Sequence, residues 1–226
     1  MKKLFSIVLM MFCVLTISAQ TDVTTFLGIP VDGFKADMRK KLIAKGFTPK
    51  TFEGKEYFEG EFNGRDVDVY VVTNNNKVYR IMLADRNGTD EAQIKIRFNN
   101  LCYQFEKNER YFTPDDFSIS EDEDISYEMT IHEKVYQAEY YQFPSSESID
   151  ALNVAIYKEL ESRYTEEQLQ NPTKEMEEEY DRLREKMAFD LFSKKSVWFS
   201  IGEAAGQYYI YMYYDNRYNK ANGEDL

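Results

Sequence analysis

Asn63-Gly64 stands between two stretches whose apolar residues fall on every second position. Before it, Phe58, Gly60 and Phe62 alternate with Glu59 and Glu61; after it, Val67, Val69 and Val71 alternate with Asp66, Asp68 and Tyr70. Successive side chains on a strand point to opposite faces, so each stretch has one apolar face and one polar face. The tightest hairpin turn needs positive φ at both central residues, which Asn and Gly tolerate. This segment is therefore constrained to an antiparallel hairpin with one face buried. Asn74-Asn75-Asn76 supplies a second turn, leading into a third strand over residues 78–83.

Helical spacing flanks these strands. Upstream, residues 24–30 read as a short extended segment. Asp32-Gly33 then opens a helix whose stripe is Phe34, Met38 and Leu42, and Gly46 with Phe47 stops it. Downstream, a helix starting near Thr89 carries Ile94, Phe98, Leu101 and Phe105 on one face. Strands are expected after it over residues 111–118, 125–131 and 134–143. A shift of 57 residues lays the second unit on the first without a gap: Tyr70 falls on Tyr127, Thr73 on Thr130, and Lys77-Val78-Tyr79 on Lys134-Val135-Tyr136.

The last third adds a helical pair and two strands. Ser148 is the expected cap of the first helix, Thr165-Glu166-Glu167-Gln168 fits a capping box, and Thr173 caps the next helix after Pro172. Strands follow over residues 196–201 and 207–214. The expected fold class is α+β: repeated helix-plus-antiparallel-hairpin units, helices on one face of the sheet, and an added helical pair in the C-terminal third. With no long linker, residues 20–226 read as one α+β body, the alternative being two lobes, 20–144 and 145–226, split near Pro144.

The N-terminus reads as an export signal. Lys2 and Lys3 precede an apolar stretch over residues 4–17, and Ile17-Ser18-Ala19 offers small residues for cleavage after Ala19. The apolar stretch is short of the roughly 20 residues a membrane span needs. The expectation is a secreted or periplasmic protein with signal peptide 1–19 and no membrane span after its removal. Losing Lys2 and Lys3 takes the charge from −12 to −14. So acidic a chain is a poor match for a nucleic-acid backbone. Cys13 leaves with the signal, and the remaining Cys102 lies on the expected apolar side of its helix.

The chemistry the residues can carry is narrow. The single His, His132, sits in or beside an expected turn, and no nucleophile motif, phosphate loop or zinc motif occurs. The reading is therefore not an enzyme, with no cofactor and no metal. Glu121-Asp122-Glu123-Asp124 is a candidate calcium loop that lacks the spacing of an EF-hand, and it reads more simply as a solvated turn.

Aromatics make up 15% of the chain, and tyrosines are the remaining candidates. Tyr209, Tyr211 and Tyr213 share one face of the last strand by period two. Such a ladder either packs under the helices or stands exposed, where it could stack on sugar rings or anchor a protein. Tyr70 and Tyr127 are placed by the repeat on the helix-free face, beside carboxylates.

The stretch Phe26-Leu27-Gly28-Ile29-Pro30-Val31-Asp32-Gly33, followed by Met38 and Ala44-Lys45-Gly46-Phe47, resembles the opening of uncharacterised secreted proteins of Bacteroidota. In those a similar motif leads into an Asn-Gly hairpin and a strand like Asn74-Asn75-Asn76-Lys77-Val78-Tyr79-Arg80-Ile81. The resemblance covers residues 24–105, implies export, and transfers no functional residue. Phe34 departs from it, standing where a small polar residue is expected before the helix. More loosely, tandem helix-plus-sheet units resemble beta-lactamase-inhibitor-like and outer-membrane assembly lipoprotein domains, in fold alone. The expected function is a secreted or periplasmic, non-enzymatic binding module for a protein or envelope component. The alternatives are a glycan-binding module using the tyrosine ladder and, third, a carboxylate-dependent hydrolase.

Overall fold

Five two-residue turns organise the molecule. Leu27-Gly28, Glu53-Gly54, Asn63-Gly64, Asn75-Asn76 and Ala205-Gly206 all have positive φ at both positions, which matches a turn to the twist of its flanking strands. The computed structural model describes residues 22–221, so the expected signal segment and its cleavage point lie outside the described residues.

The first turn joins β1 (Thr25–Phe26) to β2 (Ile29–Pro30). Helix α1 (Lys35–Ala44) follows, then a meander of β3 (Thr48–Phe52), β4 (Lys55–Phe62), β5 (Arg65–Asn74) and β6 (Lys77–Asp85). Helix α2 (Glu91–Glu106), the short β7 (Tyr111–Phe112), helix α3 (Ile125–Ile131) and β8 (Gln137–Gln142) come next. Helices α4 (Ser146–Glu161), α5 (Glu166–Gln170) and α6 (Lys174–Ser193) precede the final hairpin of β9 (Ser196–Ala204) and β10 (Gln207–Asp215). The chain is α+β. Its main sheet has eight antiparallel strands in the order β3-β4-β5-β6-β10-β9-β8-β7, drawn from both sides of Pro144.

The core lies on one face of that sheet. Val67, Val69, Ile81, Leu83, Ile210, Met212, Val197 and Phe199 point into it, as alternation requires. Met38 and Leu42 of α1 and Ile94, Phe98, Leu101, Cys102 and Phe105 of α2 cover them. Phe26 of the first hairpin packs at 5.0 Å from Tyr214 and 5.5 Å from Phe62, ring to ring. Burial of each such side chain contributes about 1.5–3 kcal/mol.

The second unit is not a copy of the first. Residues 125–131, expected as a strand, form helix α3. Asp124 accepts a hydrogen bond from the Tyr127 backbone N–H as its cap, and Ile125 is buried with Met129 packed four residues on. Residues 134–136 are not in a strand, β8 starts at Gln137, and β7 is two residues long. The 57-residue match therefore does not mark equivalent structure. In the last third, the Thr165–Gln168 capping box and the Thr173 cap form, while Ser145 rather than Ser148 caps α4.

Candidate functional site

The sheet face opposite the core carries two in-register rows that cross the strands. One begins at Lys50, continues through Tyr57 and Tyr70, and runs on through Met82, Tyr213 and Trp198 to Glu139. The other runs Thr48, Glu59, Asp68, Ala84, Tyr211, Ser200, Gln137. With neighbouring strands about 4.8 Å apart, the aromatic part from β4 to β9 spans about 19 Å. At the β8 end, α6 folds over the corner, with Phe189 at 6.4 Å from Tyr141 and Phe192 at 4.7 Å from Phe112.

A rigid cluster sits on the first row. Trp198 and Tyr213, directly opposite on β9 and β10, stack with ring centroids 3.8 Å apart. The Arg80 guanidinium lies 4.9 Å from the Tyr213 ring centre and 5.3 Å from that of Trp198. Asp215 holds it from the side: Arg80 Nε donates to Oδ1 at 2.5 Å and Nη2 to Oδ2 at 2.7 Å. Trp198 Nε1–H donates to the same Oδ2 at 3.2 Å. The Asp215 hydrogen bonds hold the Arg80 guanidinium above its ordinary pKa, so cation, carboxylate and indole are locked as one unit. Tyr57 and Tyr70 stack at 5.8 Å further along the row.

Tyr211 is placed differently. Its ring lies over Gly202, where a Cβ would sit 2.9 Å from Cδ2 and closer still to Cε2. Tyr209 reaches over Gly88 in the same way, a Cβ there falling 2.7 Å from Cζ. Gly202 thus leaves room for the Tyr211 ring, and Gly88 for the end of the Tyr209 ring and the Gln207 side chain. Next to Tyr211, the small Ala84 separates it from Asp68. Asp68 Oδ1 is buried and accepts no hydrogen bond, while its side chain keeps 26% exposure. Burial pushes the Asp68 carboxyl up; Arg86 opposes this and Glu59 adds to it. Burial also raises the Tyr70 phenol, followed by the charge of Asp68.

Of the five tyrosines singled out in the sequence, four share this face. Tyr70, Tyr209, Tyr211 and Tyr213 are half-buried on it. The ladder therefore does not pack under helices. Tyr208, Ile210, Met212 and Tyr214 take the core side instead. The alignment that set Tyr209, Tyr211 and Tyr213 on Tyr79, Ile81 and Leu83 fails because β6 and β10 are antiparallel neighbours: Tyr211 faces Ala84 and Tyr213 faces Met82. Tyr127 is elsewhere, exposed on α3 and edge-on to His132 at 5.4 Å. Trp198, Arg80, Asp215, Tyr57 and Asp68 complete the face and were not singled out. Alternation within 196–201 was the one signal pointing to Trp198.

Three of the four carboxylates of the 121–124 loop are engaged by the chain itself. Asp122 accepts from Ser120, Glu123 accepts from Lys134 and Tyr136, and Asp124 caps α3. Among the described residues, no group of three or more His, Cys, Asp or Glu is arranged to hold a metal ion, and no helix is long and apolar enough to cross a membrane. No protein-family model, curated protein or solved structure matches the chain.

Proposed function

We propose that this protein is an exported, non-enzymatic binding module that holds an extended glycan across the bare sheet face. The observation that carries this reading is the half-buried Tyr211 ring seated against Gly202, one small residue away from Asp68, whose carboxylate accepts no hydrogen bond from the chain and has only Arg86 beside it at 3.4 Å. A sugar ring has an apolar C–H face and a rim of hydroxyl donors. A half-buried aromatic ring suits the first, and a partly exposed carboxylate that accepts no hydrogen bond from the chain suits the second. A strip of about 19 Å suits a chain of sugars better than a single one. Export is the reading of residues 1–19.

Two other readings are weaker on the same geometry. A protein or envelope component could use Tyr and Trp as anchors, but covering the Asp68 carboxylate, which accepts no hydrogen bond from the chain, with a dry protein interface would add a desolvation cost. A hydrolase could use Glu59 and Asp68, which face each other across β4 and β5. Arg86 lies within 3.2 Å of Glu59 and 3.4 Å of Asp68, and the pair stands on an open face rather than in a cleft. Binding without cleavage fits that arrangement better.

Co-sedimentation with cellulose, chitin and mannan tests the proposal. Retention by at least one of them, lost in Tyr211→Ala, is expected. Retention by none, or equal retention of Tyr211→Ala and wild type, would overturn it.

A further inference from the structure

A second site lies on the helix-covered side, where the Asn63-Gly64 turn meets α2. A cavity of about 200 Å³ there is lined by Asn63, Arg65, Gln93, Arg97, Asn100 and Gln104. Its charge is unlike that of the molecule: two guanidiniums face one carboxylate, Asp85, in a chain of net charge −12. Arg97 Nη2 donates to Asp85 Oδ1 at 2.6 Å, and the two side chains are 12% and 8% exposed. Asp85 is further committed by the Ile210 N–H, which donates to Oδ2 at 3.1 Å. Arg97 Nε is buried without a partner. Arg65 forms no ion pair among the described residues, and its charge acts on both Asp85 and Arg97.

The amides add donors. Asn63 Nδ2 donates to Gln104 Oε1 at 2.8 Å, which orients both side chains. Gln93 and Asn100 make no side-chain hydrogen bond with any described residue. Two adjacent guanidiniums repel, and an oxyanion between them would relieve that repulsion while accepting several N–H bonds. We infer that this cavity binds the oxyanion head, carboxylate or phosphate, of a small hydroxylated ligand, with Arg65 and Arg97 as the anion clamp and the amides contacting hydroxyls. The site is separate from the aromatic strip and does not depend on the glycan reading.

The test is a titration followed by amide resonances of Asn63, Gln93, Arg97 and Asn100, using glucuronate, glucose 6-phosphate, inorganic phosphate and uncharged methyl glucoside as probes. Arg97→Gln would strand Asp85 and risk unfolding, so the informative variant is Arg65→Gln. Lys158→Gln makes the same charge change on α4, at an exposed residue that lines neither the cavity nor the aromatic strip. At least one anion is expected to shift these resonances saturably and methyl glucoside not to. Affinity should fall about tenfold in Arg65→Gln, equivalent to about 1.4 kcal/mol, and stay unchanged in Lys158→Gln. Inorganic phosphate binding as tightly as its sugar ester would identify the free ion as ligand; tighter binding of glucuronate or the ester would identify an acidic sugar. Failure of every anion to shift the resonances, or equal losses in Arg65→Gln and Lys158→Gln, would overturn the inference.

Discussion

Tyr211 rests on Gly202, in the space a Cβ would take. The two residues belong to neighbouring strands, β10 and β9, and their contact seats an aromatic ring on the sheet face opposite the core. Replacing Gly202 by Val should push the ring up and cost about 1–3 kcal/mol through overpacking. Urea denaturation measures the stability. Glycan retention should fall with it, whereas Tyr211→Ala should lose retention with a smaller change in stability.

Asp215 is buried and holds both Arg80 and the indole of Trp198. Asp215→Ala leaves a largely buried guanidinium without its counter-charge. A loss of about 3–5 kcal/mol is expected. Trp198 is the only tryptophan, so its fluorescence reports the same event as a shift in emission in the folded variant.

The Asp22–Lys195 pair ties the start of the described chain to the residue before β9. Lys195 Nζ also donates to the Phe143 carbonyl at 2.8 Å, and the Ser145 N–H donates to Asp22 at 2.9 Å. Burial alone would raise the Asp22 carboxyl, but Lys195, Ser148 and Ser145 outweigh it and hold it below its ordinary value. A lowered folded pKa gives stability that is full above the unfolded value and is lost as pH falls through the folded one. Asp22→Asn should therefore be less stable than wild type at pH 7, and the gap should close below about pH 4. Urea midpoints across that range measure it.

Cys102 lies on the buried face of α2, its thiol pushed up to about 11 by burial. The thiolate is the reactive form, so the native chain should protect Cys102 from thiol reagents at pH 8. Peptide mapping after labelling should find it unmodified in the native protein and modified in denaturant. Rapid native labelling would contradict the packing of α2.

Ala205 sits at the first central position of the β9–β10 turn with φ 53°. Asn is better suited there, and Ala205→Asn should stabilise by about 0.5–1 kcal/mol. Thermal unfolding reads the gain.

Local chemistry made much of the fold legible. Asn63-Gly64, the alternation around it, the stripe from Ile94 to Phe105 and the Thr165 capping box each act over a few residues, and each forms as read. One misread element was 125–131, where Ile125 and Met129 at helical spacing, with Asp124 as cap, outweigh the apparent match to β5. Strand β3, with Pro49 on the sheet edge, carried no alternation strong enough to register. The aromatic face was half legible. Period two placed Tyr209, Tyr211 and Tyr213 together, but which face they took depended on β10 pairing with β6, across about 130 residues of chain. Arg80 and Asp215 meet only through that pairing.

The most direct test of the aromatic strip is a titration of Trp198 fluorescence with linear hexasaccharides of glucose, N-acetylglucosamine and mannose. A saturable change with at least one of them, abolished in Tyr211→Ala and retained in Tyr127→Ala, is the predicted result. No change with any of the three, or a change that survives Tyr211→Ala, would contradict glycan binding on this face.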